Sequence, residues 1–203
     1  MIRIVGKIPH TVTIACSGGI DSMVVSHFLQ QSKRKINLAY FDHDTFHSKK
    51  AKKFVEEYAN HNSLELVTGK VKGFKGRKSL EEFWRDERYG FFNSIKSDAI
   101  ITCHHLDDCV ETWLMSSFHG NPKLIPYKRG QNIYRPFLLT AKKDIIEYAS
   151  RKNVKWIDDP SNQHTNFMRN HVRKNIIPHV LKVNPGIRKT IRKKIIKECF
   201  KNN

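Results

Sequence analysis

The sequence predicts an α/β fold in which a parallel sheet is covered by helices on both faces. Three observations lead there. Short β-branched apolar runs alternate with stretches of helical spacing, a glycine-rich turn stands at the first strand-to-helix junction, and capping residues open later segments.

The first apolar run, Thr11 to Cys16, reads as a buried strand, and Asp21 to Gln31 then spaces Met23, Val24, His27 and Phe28 as a helix. A second strand is expected over Ile36 to Phe41, a helix from about Ser48 to His61, and a third strand over Leu64 to Thr68. After the Gly/Lys-rich loop from Gly69 to Lys78, Ser79 and Glu82 form an S-x-x-E capping box at the head of the next helix. Asp98 to Cys103 reads as a fourth strand, followed by a helix through Trp113 and Met115. Tyr134 to Leu139 is a final strand candidate and Lys142 to Lys152 a helix, while Asn184-Pro185 reads as the cap of a last helix. Residues 1–140 are expected to form the α/β core, and 141–203 a basic helical extension packed on the same domain.

Charge bounds the partners. The 203 residues hold 37 Lys+Arg against 19 Asp+Glu, a net +18 with a pI of about 9.9. A field of this sign attracts polyanions, of which nucleic acid is the commonest. The cations are concentrated: Lys142 to Asn203 holds 16 Lys+Arg and 5 Asp+Glu, hence +11 of the +18. In the last segment Ile187, Ile191 and Ile195 line one helical face and Arg188, Arg192, Lys193 and Lys197 others, which fits either RNA contact or a solvated surface helix. The cysteines, Cys16, Cys103, Cys109 and Cys199, form no C-x-x-C pair, so neither a zinc ribbon nor a dithiol motif is present. With no signal peptide and no long apolar run, the expected setting is cytoplasmic, without a membrane.

Two strings carry chemistry. Ser17-Gly18-Gly19-Ile20-Asp21-Ser22 lies between the first strand and first helix, where glycines let the backbone approach an anion and helix N–H groups receive phosphate oxygens. It lacks the Lys of a G-x-x-x-x-G-K-[ST] loop. The fourth strand ends in Cys103-His104-His105-Leu106-Asp107-Asp108-Cys109-Val110-Glu111-Thr112. Ligands of open α/β sheets sit beyond the carboxyl ends of the strands, so this cluster should face the glycine turn. Asp108 and Glu111 fall three apart on one helical face, and with the imidazoles could bind a metal, hold an ammonium group or take up a proton.

The S-G-G-x-D-S string resembles the PP-loop of N-type ATP pyrophosphatases, and His104-His105-Leu106-Asp107-Asp108-x-x-Glu111-Thr112 is similar to the second motif of their lysidine and thiocytidine branch. Phe41-Asp42-His43 and Ser79-x-Glu81-x-x-x-Arg85-x-x-Arg88-Tyr89 look like further parts of that pattern. So do Arg135-Pro136-Phe137-Leu138, Trp156-x-Asp158-Asp159-Pro160-Ser161-Asn162, Phe167-x-Arg169-Asn170-x-x-Arg173 and Pro178, which are similar to the tRNA(Ile)-lysidine synthetase family in particular. The resemblance runs from about Thr11 to Pro185. Cys109 stands where that family commonly has Gln, Trp84 where a small residue is usual, and His164 where an acid is often found.

The resemblance implies a Rossmann-like, adenine nucleotide alpha-hydrolase-like core. It also implies an ATP- and Mg2+-dependent ligase of tRNA processing that splits ATP into AMP and pyrophosphate. ATP would adenylate the wobble cytidine of an isoleucine tRNA with a CAU anticodon, and free L-lysine would then displace AMP to give lysidine. On this reading Ser17, Gly18, Gly19, Ile20, Asp21 and Ser22 hold the phosphates, and Asp21 also helps to place Mg2+. Arg85 and Arg88 neutralise charge at the α-phosphate, while His104, Asp108, Glu111 and Arg169 surround lysine and cytosine. A homodimer is compatible with it. The alternatives are a PP-loop tRNA cytidine thiolase, whose C-x-x-C pairs are missing here, and a non-catalytic RNA-binding remnant.

Overall fold

The first apolar run forms the central strand of the sheet. The computed structural model describes residues 1–158 and 168–201. Strand β1 (Thr11–Ala15) pairs in parallel with β2 (Lys35–Asp42) on one side and β4 (Ile100–Ile101) on the other. Strand β3 (Leu66–Lys70) joins β2, and β6 (Ile133–Tyr134) joins β4, both in parallel. The sheet is six-stranded, in the order β3-β2-β1-β4-β6-β5, with the short β5 (Lys128–Arg129) antiparallel at its edge. The parallel sheet expected from the sequence is thus present, and its one antiparallel edge arises because Gly130 at φ +61° closes a tight hairpin and a hairpin joins only antiparallel strands.

Helices cover both faces. Helices α1 (Ile20–Gln31), α2 (Phe46–His61) and α5 (Lys142–Lys152) bury Met23, Leu29, Val55 and Ile145 against Ile14, Leu38 and Ile101. Alternate residues of the same strands, Ala39 and Ile100, meet Tyr89 and Phe92 of α3 (Leu80–Ser94). Beyond them α4 (Leu106–Phe118) shares a second apolar cluster with the C-terminal segment. There α6 (Met168–His171) runs through a π-helical stretch, Val172–Ile176, into α7 (Ile177–Val183), and α8 (Ile187–Lys201) follows. Ile187, Ile191 and Ile195 of α8 are buried beside Leu106, Val110 and Leu114. Among the described residues no helix is long and apolar enough to cross a membrane.

Several boundaries differ from those expected, each for a local reason. β3 starts two residues late because Leu64 donates its N–H to Ala59 and finishes the end of α2. The strand expected through Leu139 stops at Tyr134, since Pro136 offers no N–H and Thr140 bonds back to Phe137 in a turn. Only half of the Ser79–Glu82 box forms: Ser79 Oγ accepts the Glu82 N–H at 3.2 Å. Complete boxes stand instead at Thr45/Ser48 and His105/Asp108. α8 begins at Ile187, with Asn184 ending α7, and Gly186 accepts the Thr190 N–H. Asp159, Pro160, Ser161, Asn162, His164 and Phe167 of the expected motifs lie outside the described residues.

Candidate active site

Strand order reverses direction between β1 and β4, so the crevice at their carboxyl ends is where a ligand fits such a sheet. The turn leaving β1 fills one side of it. Gly18 sits at φ +82°, and a Cβ there would lie 3.1 Å from Ile157 Cγ2. The Ile157 N–H donates to the Gly18 carbonyl at 2.9 Å, pinning the turn from outside. Inside it, Ser22 Oγ donates to the Gly19 carbonyl at 2.9 Å and accepts the Ser17 N–H at 3.2 Å. Gly19 is the N-cap of α1 and no side chain caps that helix, so its first N–H groups and its positive dipole end face the crevice.

The crevice holds a cavity of about 750 Å³, within the size range of small-molecule and cofactor sites. Its far wall is aromatic: Phe41 and His43 lie 5.1 Å apart between ring centroids, and His43 and Trp84 5.2 Å. Burial pushes the thiols of Cys16 and Cys103, which also line it, above their ordinary pKa.

Opposite the turn stands the cluster after β4. His105 caps α4: its Nδ1 accepts the Asp108 N–H at 3.4 Å, and its own N–H reaches Asp108 Oδ2 at 2.9 Å. The Nε2 of the same ring lies 3.6 Å from Asp21 Oδ1. Burial works against ionisation of Asp108, but the imidazoles of His105 and His104, the His105 N–H and Arg169 outweigh it, and its pKa falls to about 2. Burial dominates at His104, lowering its pKa to about 3 despite Asp108, so this ring is neutral at neutral pH. Thr102 Oγ1 lies 3.0 Å from His104 Nδ1 and fixes the ring.

Of the residues expected at the site, Ser17, Gly19, Ile20, Asp21, Ser22, Arg88, His104, Asp108 and Arg169 line the cavity, and Gly18 lies behind its turn. Arg85 and Glu111 are not among its lining. Trp84 and Arg88, four apart on α3, point into the crevice, which turns Arg85 aside toward Asp86, 4.0 Å away. Glu111 is 1 % exposed and bound by Arg173 through two bonds of 2.6 and 3.0 Å, with Arg169 at 3.9 Å. Burial raises the pKa of the Glu111 carboxyl against the pull of Arg173, whereas Arg173 stays firmly charged because Glu111 more than offsets its burial. The π-helical stretch carries Arg173 to both Glu111 and Asp108, the latter at 3.7 Å.

The sequence reading left out Lys142. Its Nζ lies 2.6 Å from Asp21 Oδ1 inside the cavity, and its N–H donates to Asp107 Oδ2 at 2.7 Å. Asp107 Oδ1 in turn takes Arg188 of α8 at 2.7 Å. Four residues past Arg135-Pro136-Phe137-Leu138, Lys142 had a signal only in that adjacency. For Mg2+, no group of three His, Cys, Asp or Glu suited to a metal occurs among the described residues. A magnesium ion carried by nucleotide phosphates needs only one or two carboxylates, and Asp21 on the turn fits that role.

The PP-loop domain family matches residues 4–180 of the chain. The tRNA(Ile)-lysidine synthase of Persephonella marina is 36% identical over 192 residues, which is 87% of this chain and 42% of that protein. Proteins of the same name from Streptococcus pyogenes and Staphylococcus aureus are 33% and 29% identical over 86% and 83% of this chain. The chain spans less than half the length of these curated relatives. A solved U34-tRNA thiolase from Methanococcus maripaludis, with its 4Fe-4S cluster, is similar with a TM-score of 0.73 at 16% identity, covering 93% of this chain and 72% of that one. The NH3-dependent NAD synthetase of Campylobacter jejuni is similar with a TM-score of 0.52 at 13% identity over 98% of this chain and 89% of its own. At those identities the likeness is one of fold.

Proposed function

The chain belongs to the PP-loop domain family, and from that premise we propose that it is an ATP-dependent tRNA-modifying enzyme that forms lysidine. In the first step the O2 of a cytosine attacks the α-phosphorus of ATP, the α–β phosphoanhydride breaks and pyrophosphate leaves. In the second, the ε-amine of free lysine attacks C2 and AMP leaves with the oxygen. The wobble cytidine of a CAU-anticodon isoleucine tRNA is the acceptor, in line with the curated relatives' name.

The chain's own groups suit these steps. The open N-terminus of α1, with Ser17 and Ser22, receives phosphate oxygens, and Arg88 and Lys142 supply positive charge to the same cavity. Asp21 would hold Mg2+, which would supply screening of the phosphate charge. An attacking amine must be neutral, so a base has to accept its proton. Asp108 at the cavity wall stays ionised to about pH 2, which suits it to hold the lysine ammonium before that proton leaves to solvent, and neutral His104 lies beside it. Glu111 acts at one remove, holding Arg173 and Arg169 in place.

The observation that carries this reading is the convergence of an anion-receiving turn and an ionised carboxylate with a neutral imidazole in one cavity. The test is mass spectrometry of nucleosides after incubation with the tRNA, ATP and lysine. Lysidine that appears only with all three supports it. Neither lysidine nor release of pyrophosphate, from protein that binds tRNA, favours a non-catalytic remnant.

A further inference from the structure

We infer that the loop between β3 and α3 is a contact for an unpaired base and its flanking phosphates, with Phe74 as the stacking platform. The inference rests on the tRNA reading above and names a surface that reading does not use. From Lys70 to Lys78 the chain carries Lys70, Lys72, Lys75, Arg77 and Lys78 and no acidic residue. Phe74, in its middle, is 92% exposed, where a soluble protein ordinarily buries such a ring.

The loop is built to hold that ring out. Glu87 of α3 accepts the N–H groups of Lys72 and Gly73, both at 2.9 Å, and a Cβ at Gly73 would come within 2.7 Å of the same carboxylate. On the other limb Lys78 pairs with Asp86 at 2.6 Å, and a turn at Gly76, φ +57°, joins Lys78 N–H to the Lys75 carbonyl. Two α3 carboxylates thus anchor the base of the loop, and Phe74, Lys75 and Arg77 stand exposed at its tip.

Its place favours RNA. β3 runs parallel to β2, so the loop leaves the sheet at the carboxyl edge, the edge on which the cavity opens, and leads into the helix that gives the cavity Trp84 and Arg88. An exposed aromatic ring among cations suits a splayed base and its phosphates, whereas a duplex keeps its bases stacked and offers the ring nothing.

Binding of a CAU anticodon stem-loop RNA and of a fully paired RNA duplex should be measured for wild type, Phe74→Ala, Phe74→Tyr and Lys75→Gln/Arg77→Gln. Phe74→Ala should weaken stem-loop binding roughly five-fold to a hundred-fold, the effect of losing one stacked base, with duplex binding and the salt slope unchanged. Phe74→Tyr should restore affinity. The double charge variant should instead flatten the log–log salt slope by about 0.7 per lost contact. ATP binding without RNA should stay at the wild-type level throughout. Wild-type stem-loop binding that Phe74→Ala leaves intact overturns the inference alone, as does an equal loss on the duplex. Wild type that binds neither RNA overturns the tRNA reading as well.

Discussion

Ile157 holds Gly18 from outside the phosphate turn, through a 2.9 Å backbone bond and a side chain that a Cβ there would crowd at 3.1 Å. The segment after α5 therefore sets the shape of a turn that lies far away in sequence. Gly18→Ala should lower stability by about 1–3 kcal/mol, because alanine at positive φ is strained and its methyl meets Ile157. ATP affinity should fall with it. Thermal unfolding and ATP titration check both, and a variant matching wild type in each would mean that the turn tolerates another shape.

Asp21→Ala or Ser17→Ala should reduce ATP–pyrophosphate exchange on the order of 10²–10³-fold with the fold intact. Lys142→Gln should raise the KM for ATP, since its ammonium is the cation nearest Asp21. Full exchange activity in all three variants would remove the phosphate role from this side of the cavity.

Asp108 and Glu111 should separate. Asp108→Asn should spare ATP binding and slow transfer to lysine. Glu111→Gln should impair transfer too, and in addition lower stability by roughly 1–3 kcal/mol, a loss kept moderate because Arg173 is 43% exposed. Replacing Glu111 and Arg173 together by Leu should recover much of that stability. Equal lysidine formation by wild type and both single variants at limiting lysine would take these carboxylates out of the chemistry.

The alternation of strands and helices and the phosphate turn were legible because each is local: β-branched runs, a Gly-Gly, a helical period. What was missed is long-range. Lys142 reaches Asp21 and Arg173 reaches Glu111 across more than sixty residues of chain, and no periodicity encodes such a meeting. On residue chemistry alone His104 and His105 were alike, and only the family resemblance singled out His104. The geometry supplies the reason, separating a ring that caps α4 from one, His104, that stays neutral beside Asp108.

That neutrality has a pH consequence. The folded pKa of His104, about 3, lies below its ordinary 6.5, so the unfolded chain takes up the proton first. The site thus favours folding fully above about pH 6.5 and progressively loses that contribution as pH falls toward 3. His104→Asn should flatten the acid limb of a stability–pH curve by roughly 1–3 kcal/mol, reduced from the full linkage because the ring is partly exposed. Superimposable curves would assign the acid sensitivity elsewhere.

The cations of α8 divide into two sets. Arg188 binds Asp107 and Arg192 donates to the Leu139 carbonyl, whereas Lys189, Lys193 and Lys197 lie exposed along one edge. Replacing those three lysines by Gln should weaken tRNA binding across sequences and reduce the log–log salt slope by about 0.7–0.9 per lost phosphate contact. Arg188→Gln should chiefly lower the melting temperature. An unchanged slope in the triple variant would leave the lysine edge merely solvated.

The apolar face of α4 has a timing built into it. Its cover includes Ile187, Ile191 and Ile195, which leave the ribosome well after α4 itself, so that face stays open to water while the intervening chain is made. The sheet can pair early, yet the apolar cluster around α4 must wait for α8 before it can exclude solvent. During that wait it is a surface for chaperones, and for aggregation.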